Sequence, residues 1–128
     1  METKKFKLLI DVHVQHLIWK NELELAQMEL GFWEKLLTTL EEQEPSIHDE
    51  VIKEVSQLNH FQRLSQVLLN EVQEVDKRVA EGVQRNQVLD QQVRANHKYL
   101  REQMDAFHSN YQSFKDNIRQ FVVAQPQF

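Results

Sequence analysis

Apolar residues recur in this chain at alternating intervals of three and four, from Val12 to Phe121. On an α-helix this spacing places the apolar side chains on one stripe, which another helix must cover. The composition agrees, because 41% hydrophobic and 27% charged residues with only two Gly and two Pro is typical of helical bundles. The 128-residue length suits a single small domain. The sequence therefore predicts an all-α domain, 1–128, with long coiled-coil-like helices.

The first helix is predicted to run from about residue 6 to residue 43. Pro45 ends it, because proline cannot continue the helical hydrogen bonding. We expect Ser46 to cap the second helix by accepting from the amide of Asp49, and Asp49 and Glu50 suit the positive end of its dipole. The stripe of the first helix consists of Val12, His16, Trp19, Leu23, Ala26, Leu30, Trp33, Leu37 and Leu40.

The second and third helices are predicted over about 46–81 and 84–121. Gly82 separates them, because glycine suits the left-handed position just past a helix end. The stripe of the second helix is Val51, Val55, Leu58, Phe61, Ser65, Leu68, Val72, Val75 and Val79. That of the third is Leu89, Val93, His97, Leu100, Met104, Phe107, Tyr111, Phe114, Ile118 and Phe121. We expect Ser65 to bond a carbonyl of its own helix.

Breaks at Pro45 and Gly82 give three helices of matched length, so the predicted fold is an antiparallel up-down-up three-helix bundle. The alternative is an unbroken helix in place of the second and third, giving a long hairpin that dimerises into a four-helix bundle. The tail 122–128 loses the heptad pattern and contains Pro126, so we expect it to be flexible.

Charge and cysteine content exclude several classes of function. A net charge of −5 argues against nucleic-acid binding, which requires a basic face. The apolar run Leu8–Ile10 is far shorter than a signal-peptide core or a membrane span, so no membrane association is predicted. With no cysteine there are no disulfides or cysteine zinc sites, which fits a cytoplasmic location.

Several common catalytic sequence patterns are absent from this chain. It lacks a cysteine nucleophile, a glycine-rich phosphate loop and a Gly-x-Ser-x-Gly elbow. Di-iron bundles use Glu-x-x-His on two helices, and the nearest variants here are His13-x-x-His16 and Asp105-x-x-His108. We therefore predict no catalytic, cofactor-binding or metal-binding residues, no cofactor and no obligatory small molecule.

His16 and His97 fall on apolar stripes, where a histidine nitrogen needs a partner. Equal rise along the three predicted helices places possible carboxylates beside both rings. The predicted partners are Glu71 or Glu74 for His16, and Glu22 or Glu24 for His97. If the imidazoles are partly buried, protonation costs packing, and the bundle should loosen in acid.

Large apolar side chains suggest both a core and an interaction surface. The predicted bundle brings Trp33, Leu58, Phe61, Met104 and Phe107 together, as core or, if they leave a void, as a pocket for a hydrophobic ligand. Other apolar side chains lie off the main stripes, and a contiguous row of them would mark an association surface. They are Ile18, Leu25, Phe32, Ile52, Val67 and Val122.

The stretch His16–Leu23 together with His60–Gln62 resembles small bacterial helical proteins of uncharacterised function. The resemblance implies a bacterial cytoplasmic coiled-coil protein and carries no active or binding residues. From the residues themselves we expect a non-enzymatic structural or interaction bundle that binds a protein partner or another copy. The alternative is a carrier of a hydrophobic ligand or metal in the bundle interior.

Overall fold

The computed structural model describes residues 2–84 and 91–126, with the side chains of residues 8–82, 84 and 91–126. Over these ranges the chain forms three α-helices and no strand: α1 (Glu2–Gln43), α2 (His48–Gln84) and α3 (Gln91–Val123). The all-α three-helix prediction is confirmed. The alternative of one continuous helix after Pro45 is wrong, because α3 folds back onto the other two helices.

Hydrogen bonds between helices fix their directions. Between α1 and α2, His13 bonds Asp76 and Gln27 bonds Gln66, so the residue numbers rise along α1 while those of the paired residues on α2 fall. Between α1 and α3, His16 bonds His97 and Glu22 bonds His108, so the numbers rise together. α1 is therefore antiparallel to α2 and parallel to α3, as expected for an up-down-up bundle.

The turn at Pro45 is longer than the sequence suggested. Pro45–Ile47 form a single 3₁₀ turn, and α2 begins at His48 rather than at Ser46. The predicted Ser46 cap is wrong, because the Ser46 hydroxyl donates to Glu44 Oε1 at 2.6 Å. The local competition of a serine with a neighbouring carboxylate is a short-range effect that the capping pattern does not reveal. Asp49 and Glu50 do occupy the first turn of α2.

Gly82 does not end α2. It is buried inside the last turns of the helix, which continues to Gln84, and its φ is not left-handed. A Cβ at this position would lie 3.3 Å from Leu9 Cδ2, so the glycine admits a side chain of α1. The predicted break at Gly82 is therefore wrong, because α2 continues to Gln84; the next described residue, Gln91, begins α3.

The three stripes meet in one main core. Leu23, Leu58 and Leu100, one from each helix, have no exposed surface. A smaller cluster of Leu9, Val79 and Val93 lies outside it, with Val12 packed alongside. Ser65 is buried and donates to the carbonyl of Gln62 at 2.9 Å, as predicted. Leu89 lies outside the described residues.

The third helix extends into the expected tail. α3 ends at Val123, and Val122 is buried in the main core, so the prediction of a flexible segment starting at residue 122 is wrong there. The Gln125 side chain also donates to the carbonyl of Phe121 at 2.8 Å. A buried valine stabilises another helical turn, although its position departs from the heptad pattern. Residues 127 and 128 lie outside the described ranges.

Candidate functional site

Five polar side chains form a hydrogen-bonded chain across the bundle, far from the Pro45 turn. We call it the polar chain: His13 and His16 of α1, Asp76 of α2, and His97 and Arg101 of α3. The two pairs on α1 and α3 are spaced by three and four residues, so both members of each pair lie on one helix face. All three helices therefore contribute to it.

The donors and acceptors of the polar chain follow from Arg101 at one end and from Asp76, which lies between His16 and His13. Arg101 can only donate, and a carboxylate such as that of Asp76 can only accept. Arg101 Nη2 lies 3.3 Å from His97 Nε2, and His97 Nδ1 lies 2.9 Å from His16 Nε2. His16 Nδ1 and His13 Nδ1 each lie 2.9 Å from Asp76 Oδ1. Every bond is satisfied when all three imidazoles are neutral and carry their proton on Nδ1.

Aromatic packing encloses the centre of the polar chain. His16 is 1% exposed, and the Trp19 ring lies 5.4 Å from its ring centroid. Trp19 also stacks on His97 at 5.2 Å, and the Arg101 guanidinium lies 6.0 Å from the Trp19 ring centroid. A buried imidazole needs partners for both nitrogens, and His97 with Asp76 supplies them for His16.

The electrostatics of the polar chain favour a neutral His97 and an ionised Asp76. Burial, together with the neighbouring His16 and Arg101, lowers the pKa of His97 to about 4. Burial would raise the pKa of Asp76, but the hydrogen bonds and charge interactions with His16 and His13 outweigh it and leave that pKa below its ordinary value. Negative charge therefore resides on Asp76, and Arg101 carries the positive charge of its guanidinium.

His16, at the buried centre of the polar chain, has both ring nitrogens bonded. The imidazole nitrogen that would take a proton in general-base catalysis, Nε2 of His16, already accepts from His97. Among the residues that the structure describes, no three His, Cys, Asp or Glu side chains are grouped so that they could hold a metal ion. The pair Asp105-x-x-His108 lies outside the polar chain. Both residues are exposed, and His108 is hydrogen-bonded to Glu22.

The predicted histidine partners were wrong in detail. His16 does bond a carboxylate of α2, but it is Asp76 rather than Glu71 or Glu74. His97 bonds His16 and Arg101 instead of Glu22 or Glu24. The error follows from the Gly82 break, because a later connection places His97 at a different height beside α1. His13 and Arg101 gave no sequence signal beyond their spacing from the two stripe histidines.

A second feature is a row of apolar side chains on the side of α1 that faces away from the core. We call it the outer face of α1: Ile10, Val14, Leu17, Ile18, Leu25, Met28 and Phe32, with Asn21 at its centre. Met28 is 73% exposed, Phe32 62% and Leu25 56%, so no other described element covers them. The row extends over residues 10–32, or about 33 Å of helix.

The outer face of α1 has a heptad spacing of its own. Ile18, Asn21, Leu25, Met28 and Phe32 follow one another at intervals of three and four. α1 thus carries two stripes on opposite sides, and the bundle buries only one of them. Contiguous exposed apolar surface of this kind is characteristic of interaction sites rather than of scattered surface residues. No helix in the described part of the chain is long and apolar enough to cross a membrane.

Two acids at the edges of the outer face are paired with lysines. Glu29 lies 3.6 Å from Lys115, and Glu24 lies 3.9 Å from Lys20. Glu22 is hydrogen-bonded to His108 at 2.9 Å. The apolar row therefore lies between polar edges that include two ion pairs.

Gly31 lies beside Phe32 on the same helix. An added Cβ there would meet nothing within 4 Å. Glycine inside a helix costs about 1 kcal/mol relative to alanine, and here no contact within the described chain compensates that cost. The space at Gly31 is open to any helix that approaches the outer face.

Of the aromatic residues expected to meet in the core, Phe61 and Phe107 are in contact, with Tyr111 and Phe114 beside them, whereas Trp33 is only partly buried against the same core. Phe61 lies 6.2 Å from Phe107, 5.7 Å from Tyr111 and 5.1 Å from Phe114, measured between ring centroids. A surface groove of about 380 Å³ runs along the edges of Phe61 and Phe114. Polar side chains complete its lining: Ser56, Gln57, His60, Asn110, Ser113 and Asn117.

Comparisons of the chain with protein families, with curated proteins and with solved structures gave no match. The functional argument therefore rests on the polar chain and on the outer face of α1.

Proposed function

We propose that this chain is a non-enzymatic protein-interaction bundle that binds through the outer face of α1. The observation that carries the proposal is the second heptad row on α1, of which Leu25, Met28 and Phe32 are each more than half exposed. Exposed Leu, Met and Phe at intervals of three and four are the anchors by which one helix packs against another.

The rest of the bundle supports this function as a scaffold. The main core and the polar chain hold α1 straight against α2 and α3, so its outer face is presented without reorganisation. A preformed face loses little conformational entropy on binding, which favours association. The groove beside Phe61 and Phe114 is lined by small polar groups, so it offers a hydrophobic ligand much less apolar surface than the outer face does.

Methionine oxidation tests whether the outer face is covered where the protein works. Met28 is 73% exposed and Met104 is 2% exposed, so peroxide should oxidise Met28 rapidly and Met104 slowly in dilute purified protein. In cells that naturally make the chain, we expect Met28 to be protected several-fold relative to the dilute protein, with Met104 as the internal reference.

A matched variant makes the test specific. Leu25→Glu introduces a charge into the outer face without touching the core, because Leu25 is 56% exposed. It should restore rapid oxidation of Met28 in cells. Equal oxidation of Met28 in cells and in dilute protein would refute the proposed function, since the face would then be free.

A further inference from the structure

We propose that the outer face of α1 binds a second copy of this chain, with the two α1 helices antiparallel and Asn21 of each copy opposite Asn21 of the other. The inference rests on the proposed function and names its partner. Three features of the described residues carry it: the position of Asn21, the order of large and small side chains around it, and the ion pairs at the edges.

Asn21 lies at the centre of the outer face and is exposed. Burying an asparagine amide against apolar side chains leaves its donors and acceptor unpaired, which is costly. A second asparagine at the same height satisfies it, because each amide can donate to and accept from the other. A copy of the chain supplies that asparagine automatically, and a single polar residue in an apolar row fixes helix alignment in this way.

The side chains on either side of Asn21 are complementary in an antiparallel pair. Two-fold symmetry about Asn21 places Val14 level with Met28 of the other copy, and Ile10 level with Phe32. Each pair joins a smaller residue with a larger one, which lets the layers interdigitate. A parallel pair would instead place Phe32 against Phe32 and Val14 against Val14.

The edges of the outer face do not oppose a second copy. Glu22 and Glu29 are paired with His108 and Lys115 of α3. The lysine beside Glu29 and the lysine beside Glu24 reduce like-charge repulsion between two copies at these positions. The open space at Gly31 admits the end of the opposing apolar row, near Ile10 of the other copy.

The affinity should be modest, because one helix pair about 33 Å long buries less surface than a standard interface. We expect a dissociation constant of roughly 1 to 100 µM. Sedimentation velocity of the full chain over that range of concentrations should show a monomer–dimer equilibrium.

Two variants locate the interface. Leu25→Glu should weaken dimerisation by about 100-fold or more, because symmetry repeats the change in both copies. Val67→Glu is the matched control on α2, since Val67 is 51% exposed and lies off the outer face. It should leave the equilibrium unchanged. Circular dichroism of both variants should show unchanged helix content, since neither residue is buried.

Disulfide trapping determines the orientation, and the absence of cysteine makes single-cysteine variants unambiguous. Asn21→Cys should form a disulfide dimer under mild oxidation. A mixture of Val14→Cys and Met28→Cys should give the mixed dimer in preference to either self-dimer, because only facing Cα atoms come within about 7 Å.

Each result decides between the proposals. A chain that stays monomeric to about 100 µM, or a dimer that Leu25→Glu leaves intact, would overturn the second-copy proposal. A Val14→Cys self-dimer formed faster than the mixed dimer would overturn the antiparallel arrangement. A monomer whose Met28 is nevertheless protected in cells would leave the proposed function standing with a different protein as partner.

Discussion

Acidification should destabilise this bundle through His97, and the size of the effect can be worked out from the polar chain. Burial, with His16 and Arg101 nearby, lowers the pKa of His97 from 6.5 to about 4 in the folded protein. In the unfolded chain His97 takes up a proton near its ordinary pKa. Between these two values the unfolded state is protonated and the folded state is not, so stability is lost as the pH falls from about 6.5 to about 4.

The difference between these two pKa values corresponds to about 3.4 kcal/mol if the folded protein expresses it completely, at about 1.36 kcal/mol for each tenfold change in proton affinity. At pH 5 about 2 kcal/mol of this would be lost, by linkage. His97 is only partly buried, so solvent screening reduces the figure to about 1 kcal/mol. For a domain of this size that lowers the unfolding midpoint by about 4 °C.

The assay is thermal or urea unfolding near pH 7 and near pH 5, followed by circular dichroism, for three proteins. His97→Gln keeps an amide that can donate to His16 and removes the titrating ring, so its loss of stability in acid should be smaller than that of the natural chain by about 1 kcal/mol. His60→Gln is the control, because His60 is exposed and lies outside the polar chain. The reasoning fails if His97→Gln and the natural chain lose the same stability between the two pH values.

Three further substitutions test other features of the fold, each by urea unfolding of dilute protein. Gly82→Pro should cost about 3 kcal/mol, because Gly82 lies inside α2; an unchanged midpoint would place it in a turn instead. Gly31→Ala should add up to about 1 kcal/mol, since its Cβ meets nothing within 4 Å; a loss of stability would reveal a contact there. Tyr111→Phe should cost about 1 to 2 kcal/mol, because the buried hydroxyl donates to Glu29 at 3.0 Å; no change would mean that the bond contributes nothing net.

The core of this protein was predictable because a heptad pattern determines which side of a helix is buried, whatever the turns do. Leu23, Leu58 and Leu100 all follow from spacing alone, and all are fully buried. Pro45 was equally clear, because its ring excludes it from a helix interior. These predictions depend on one helix at a time, so an error elsewhere in the chain does not affect them.

The polar chain was not predictable, because it depends on how far one helix is displaced along another. α2 ends two residues past Gly82 and α3 begins at Gln91, so both helices differ in length from the predicted ones. His97 consequently lies level with His16 rather than with Glu22 or Glu24, a displacement of six to eight residues, or about 10 Å. A glycine that relieves crowding by Leu9 has the same sequence appearance as one that ends a helix.

The outer face of α1 was partly visible in the sequence. Ile18, Leu25 and Phe32 were identified as lying off the main stripe, and all three are exposed. Val122 was assigned to the same group but is buried. The row became apparent only when the buried side of α1 was known, because a helix that is apolar all round does not show which of its sides faces the core.

The polar chain also bears on how the bundle avoids folding into the wrong alignment. Apolar stripes repeat every seven residues, so a helix displaced by about 10.5 Å would still place leucine and valine against leucine and valine. The displaced alignment would compete with the native one, because apolar contacts alone give the two alignments similar stability. Displacing α3 would separate His97 from His16, which is buried with no exposed side-chain surface. An unpaired imidazole in that position is destabilising. The polar chain therefore favours one alignment of the helices over the alignments that are displaced by a heptad.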